Sequence, residues 1–120
     1  MLRNMTTAIG AFILAVLGGL AYSLPAVAGE AAIAKGKELA FDRKKGNCLA
    51  CHMIADGSLP GNIGPPLIAM KARFPDKAVL RAQIWDATAA NPNTIMPPFG
   101  KHQILTEKEV DLVTEFIYSL

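Results

Sequence analysis

Side chains that bind metals or exchange electrons are scarce in this sequence. Its 120 residues hold two cysteines, Cys48 and Cys51, and two histidines, His52 and His102. A structural zinc site asks for four ligands, usually as two spaced pairs, so one Cys pair with one neighbouring His falls short. Long cationic runs are also missing: Arg43-Lys44-Lys45 is the longest, and the formal net charge is only +2. Nucleic acid is therefore not an expected partner, because phosphate binding needs many cations on one face. Repeats, low-complexity segments and alternating strand-like patterns are absent as well. The last of these excludes the βαβ setting in which a C-x-x-C pair reads as a thioredoxin-like dithiol.

Apolar residues are plentiful, but many sit at the start. "MLRNMTTAIGAFILAVLGGLAYSLPAVAGE" has one charge, Arg3, then an apolar run from Ile9 to Leu20, then Ala26-Val27-Ala28. A basic start, an apolar stretch and a small-residue A-x-A site are the parts of a secretory signal. A spanning helix needs about 20 apolar residues, which this run does not supply, so no stable membrane anchor is expected. The reading is a cleaved signal peptide over 1–28, an exported domain over 29–120, and a periplasmic location. A domain that small buries little apolar surface and needs help from something else.

Helical patterns mark three places. Ala31 to Asp42 reads as a first helix, with Gly36 and Ala40 four apart on a face that another helix could approach closely. Asp76 caps a helix expected to reach about Ala87, with Val79, Leu80, Ile84 and Ala87 facing inward. Thr106 and Glu109 form a capping box for the last helix, and Leu105 and Val110 stand where a hydrophobic staple would form. Val110, Val113, Phe116 and Ile117 then make its apolar stripe. Between these helices, glycines and prolines from Gly57 to Pro66 and the segment "NPNTIMPPFGKH" read as loops.

The cysteines and His52 form one motif, Cys48-Leu49-Ala50-Cys51-His52. C-x-x-C-H is the attachment pattern of a c-type haem. Cys48 and Cys51 would each add to one vinyl group, and His52 would present its imidazole to the iron. One haem c would also supply the missing apolar mass, so the haem-free chain is expected to fold poorly.

A second iron ligand can come from Met53, Met70, Met96 or His102. Met53 adjoins His52 and cannot reach the opposite face. Met70 lies in "PPLIAMKARF", where a short helical turn and core packing are expected. Met96 stands before Pro97-Pro98, which stiffen the chain around it, and it is the ligand expected here. A lone His102 reads as surface. Pro65 has no donor, but its carbonyl can accept from Nδ1 of His52 and fix the ring. Arg43, Lys44, Lys45, Lys71 and Arg73 flank this region, either as solvated surface or as steering charges for an acidic partner.

C-x-x-C-H after a first helix, "GPPL" downstream, the late Met-Pro loop and a C-terminal helix together resemble class I cytochrome c. That resemblance implies an all-α fold of about three to five helices with long loops around one covalently bound haem. It also implies that the first and last helices cross, with Gly36 and Ala40 against Phe116 or Ile117. "GNCLACH", "GNIGPPL" and "RFPDKAVLRAQIWDATAANPNTIMPPFGKHQILTEKEVDLVTEFI" are similar to one branch, the SoxX family of monohaem cytochrome subunits. This second likeness implies a heterodimer with a SoxA-type cytochrome that carries the catalytic centre. The pair would couple thiosulfate oxidatively to a cysteine of the carrier SoxYZ and pass electrons to a downstream c-type cytochrome. It implies no catalytic residue on this chain, with Cys48 and Cys51 attaching haem and His52 and Met96 holding iron. A free, diffusing class I electron carrier is the alternative.

Overall fold

The computed structural model describes residues 24–120, with side chains from 29 onward. Residues 1–23 of the expected signal peptide lie outside the described residues, as do the side chains of 24–28, and with them the expected cleavage site at Ala28.

The described part is helical. Helix α1 spans Leu24–Phe41, α2 Met70–Arg73, α3 Lys77–Trp85 and α4 Glu107–Tyr118, with 3-10 turns at Cys48–Ala50 and Ala87–Ala89. No strand occurs among the described residues. Helix α1 begins seven positions before the expected Ala31, because Leu24 to Glu30 continue the same turns. Only Pro25 in that stretch lacks a backbone donor, and proline is tolerated in a first turn, where amides have no partner anyway.

Helix α4 is the element on which the others rest, with α1 and α3 both packed against it. Its inward stripe of Val110, Val113, Phe116 and Ile117 is buried. Its start is fixed by the reciprocal capping box of Thr106 and Glu109, which satisfies two donors that a helix start would otherwise leave open. Leu105, one residue before the cap, is as buried as Val110. Thr114 is also buried and donates its hydroxyl to the Val110 carbonyl at 2.7 Å, so its polarity costs little.

Gly36 lets α1 and α4 touch backbone to backbone. A Cβ at that position would lie 2.7 Å from the carbonyl carbon of Leu112 and 2.9 Å from Cβ of Phe116, and nearer still to the Leu112 oxygen. Ala40, one turn on, is fully buried. Phe41 then meets Phe116 edge to face, ring centres 5.8 Å apart, the arrangement the ring quadrupoles favour.

Helix α3 departs from expectation at two points. It ends at Trp85, and the chain tightens into the 3-10 turn Ala87–Ala89, started by the Asp86 carboxylate accepting from the Thr88 amide. Val79, expected inward, is 55% exposed, while Leu80, Ile84 and Ala87 are buried. The steps of four and three between those three keep them on one face; Val79 is one residue, about 100°, to the side.

The α4 cap also reaches across the fold. Lys45, just before the cysteine turn, pairs with Glu109 at 2.9 Å. That pairing, and after it the Thr106 amide, holds the Glu109 carboxyl below its ordinary value. The carboxyl therefore binds its proton less readily folded than unfolded, and its stabilisation is present above the unfolded pKa and lost as pH falls through the folded one. Glu109→Gln should lower the denaturation midpoint at neutral pH. In acid below the depressed value, the midpoints of the two proteins should converge.

Candidate functional site

One cavity of about 620 Å³ opens between the cysteine turn, the chain after it, α3 and the Met96 loop. Pockets for bound groups commonly run from about 300 to 1,000 Å³. Cys48, Cys51, His52, Pro65 and Met96 all line it. Residues distant in sequence are thus brought to one space. Met53 and His102 are not among the lining residues, and both are exposed.

The cysteine turn is built by its backbone. Asn47 takes a left-handed conformation, φ 47°, and starts the 3-10 turn Cys48–Ala50, a geometry that asparagine tolerates better than most residues. The His52 amide then bonds the Cys48 carbonyl at 2.9 Å, so His52 follows the turn in a fixed direction. The two cysteines are not joined to each other in a disulfide. Before any attachment, burial pushes the Cys48 thiol up to about 11.

The segment after the turn runs back along it as a strap. Amides of Gly61, Gly64 and Leu67 bond the carbonyls of Leu49, Cys51 and Met53 at 2.7, 2.8 and 2.9 Å. Gly64 forms the seat of the His52 ring: a Cβ there would lie 2.6 Å from Nδ1 and 2.9 Å from Nε2. Pro65 presents its carbonyl oxygen 2.7 Å from Nδ1. A carbonyl only accepts, so Nδ1 carries the hydrogen and Nε2 keeps its lone pair for a metal. Arg73 fastens the next residue by donating to the Pro66 carbonyl at 2.7 Å.

The Met96 segment is held at both ends. The Met96 amide bonds Thr94 Oγ1 at 3.2 Å. Downstream, the amides of Gly100 and Lys101 both bond the Trp85 carbonyl, at 3.1 and 3.2 Å. Gly100 lies flat on the Trp85 ring, where a Cβ would come within 2.5 Å of Cζ3. Lys101 pairs with Asp86 at 2.8 Å; that contact first, then Thr88, holds the Asp86 carboxyl below its usual range. The sulfur of Met96 is met by Nε2 of Gln83 at 3.9 Å.

Met70 is 1% exposed and belongs to the core, yet it also lines the cavity. The deep lining is otherwise aliphatic and aromatic, with Leu80, Ile84, Phe99, Leu105, Val113 and Ile117. Around the mouth stand Arg43, Lys44, Lys45 and Arg73, and no Asp or Glu is among the lining residues. Lys71 does not reach it; its ammonium lies 5.8 Å from the Tyr118 ring centre.

Several site residues carry little sequence signal. Gly64 and Gly100 are legible only as loop glycines, and their work as seats for rings depends on which ring arrives. Gln83 is one residue before the buried Ile84 and reads as ordinary helix surface. Arg73 gives no sign that its target is a backbone carbonyl.

Among the described residues, no three His, Cys, Asp or Glu side chains gather as a metal cluster. A zinc reading has no ligand set there. What the cavity offers instead is an apolar interior, two thiols on one turn, an imidazole with a free Nε2, and thioether sulfur. That donor set suits a flat apolar group carrying an iron that accepts nitrogen and sulfur.

An all-helical shell around such a site defines a cytochrome c-type domain. The chain belongs to the family described as cytochrome c oxidase, cbb3-type, subunit III, which matches residues 31–117. Membership implies one covalently bound haem c with its iron. A curated relative, an "Uncharacterized lipoprotein" of Aquifex aeolicus (strain VF5), is 32% identical over 76 residues. The match covers 62% of this chain and 37% of that protein, so the chain spans little more than a third of the relative's length. No described helix is long and apolar enough to cross a membrane.

Proposed function

We propose that this chain is a one-electron carrier whose haem is joined to Cys48 and Cys51 and whose iron is held by His52 and Met96. The observation that carries the reading is the His52 environment: Nδ1 bonded to Pro65, the ring seated on Gly64, and the cavity beside it. Bound haem supplies one-electron exchange between ferric and ferrous iron. The chain's residues do the rest. His52, fixed by the Pro65 carbonyl, is a stronger base toward the metal than a freely rotating imidazole. Met96, in a loop tied to Trp85 and Thr94, would supply a weak thioether donor. An iron held by both His52 and Met96 would leave no open site for substrates.

The finer reading is the electron-accepting subunit of a SoxAX-type L-cysteine S-thiosulfotransferase in the periplasm. It rests on the likeness of residues 36–120 to SoxX, above all "IWDATAANPNTIMPPFGKH". In it a SoxA-type subunit holds the catalytic centre, SoxYZ carries the substrate cysteine, and a downstream cytochrome takes the electrons. The cavity mouth supports a protein partner of acidic character. No Asp or Glu lines it; Lys45 is paired with Glu109, which leaves Arg43, Lys44 and Arg73, and the lining residues Ile63 and Ile95 are 66% and 71% exposed.

The test is to express the full chain in a bacterium that matures c-type cytochromes and capture it with a tagged SoxA-type partner. Haem should remain on the chain after denaturation, and Cys48→Ala with Cys51→Ala should abolish that. The captured pair should reduce this chain's haem when thiosulfate and SoxYZ are added, more slowly as salt rises and screens the charges. Stable haem without any captured partner would leave the free carrier and remove the SoxAX assignment.

A further inference from the structure

The geometry points to Gln83 as the residue that sets the electron affinity of the site through a hydrogen bond to the sulfur of Met96. This inference rests on the reading of Met96 as the iron's thioether ligand.

Gln83 is half-buried on α3 and lines the cavity. Its Nε2 stands 3.9 Å from Sδ of Met96, within reach of a hydrogen bond to sulfur. Among the described side-chain hydrogen bonds, this one alone involves Gln83, and no other donor meets that sulfur. A thioether only accepts, so the amide's NH₂ end is the end that faces it. The two groups come from separate parts of the chain. Both are held from behind: Ile84 beside Gln83 is buried, and the Met96 amide is bonded to Thr94.

A thioether sulfur has two lone pairs. With the Gln83 amide on one, the other remains for iron, so sulfur presents a single face to the metal. The donated hydrogen also draws electron density from sulfur and places a partial positive charge beside it. Both effects favour the less positive, ferrous state of a metal bound there. Gln83 is therefore a positioning residue that raises the potential.

The experiment uses the full holoprotein, Gln83→Leu and Gln83→Glu. Reduction equilibria are measured against a reference mediator, alongside the sulfur-to-iron charge-transfer band of the ferric form. Leucine keeps bulk and removes the donor. Glutamate at neutral pH keeps the shape, cannot donate, and adds negative charge. The ease of reduction should fall in the order wild type, Leu, Glu. The first step should be about threefold in the equilibrium constant, as expected for one weak hydrogen bond. For a one-electron couple that is about 28 mV.

The sulfur–iron band should persist in the leucine variant but move. An unchanged equilibrium and unchanged band in Gln83→Leu would overturn the assignment. Should leucine compromise haem retention, Gln83→Glu decides alone: reduction as easy as in wild type overturns it. Absence of the band in wild type is a different result, which removes Met96 as ligand before Gln83 is in question.

Discussion

Gly36→Ala should lower the thermal midpoint of the holoprotein by about 10 °C or more, which reverses what helix propensity alone expects. Alanine is favoured over glycine inside a helix by about 1 kcal/mol. On an exposed face that preference would decide the sign. Here the added carbon would meet the Leu112 backbone, with its carbonyl carbon at 2.7 Å, and Cβ of Phe116 at 2.9 Å. A backbone carbonyl cannot rotate away as a side-chain end can, so α1 and α4 must move apart. Overpacking of a rigid contact costs about 1–3 kcal/mol or more, and separation would also loosen the Phe41–Phe116 pair. A net loss of about 2 kcal/mol corresponds to about 10 °C in a domain of this size. Gly29 has nothing within 4 Å of a built Cβ, and after the expected cleavage following Ala28 it opens the exported chain, so Gly29→Ala should be neutral. A scanning melt of Gly36→Ala against wild type reads the sign directly. A raised midpoint for Gly36→Ala would mean that the helices do not touch there.

That contact was half visible in the sequence. The spacing of Gly36 and Ala40 shows a small-residue face, and the stripe on α4 shows what it meets. The sequence does not show that Leu112, itself only partly buried, supplies the closest atoms through its backbone. Side-chain patterns report side chains, and a carbonyl has no residue type. The same limit explains the site. Cys48, Cys51 and His52 are adjacent, so their chemistry is written locally, and the prolines after Met96 mark a stiff loop. The Pro65 carbonyl could be foreseen because a proline lacks a competing donor. Gln83 could not, because its role depends on α3 lying beside a loop that begins after the helix has ended. Val79 was misplaced for the opposite reason: an apolar residue on a short helix looks inward unless its angular offset is counted.

The apolar interior also explains why two methionines compete for one task. Met70 and Met96 both line the cavity. Met70 is the more buried, its amide bonds the Leu120 carbonyl at 2.9 Å, and its sulfur lies 3.5 Å from Nη1 of Arg73. Its sulfur thus already has a charged donor. Met96 is half-buried, sits in a segment fixed at both ends, and faces only the neutral Gln83 amide.

Met96→Leu should therefore remove the sulfur–iron charge-transfer band and let carbon monoxide bind the reduced protein within mixing time. It should also lower the potential by on the order of 0.1–0.3 V, inside the about 0.8 V that axial ligands span in haem proteins. The sign follows from the softness of sulfur, which favours ferrous iron over ferric. Met70→Leu conserves volume and should cost under about 1.5 kcal/mol while leaving band and potential in place. The pair of variants makes the outcome directional. If Met70→Leu opened the iron and Met96→Leu did not, the ligand would be the thioether in the core. The Met96 loop, with its prolines and its seat on Trp85, would then serve only to close the cavity.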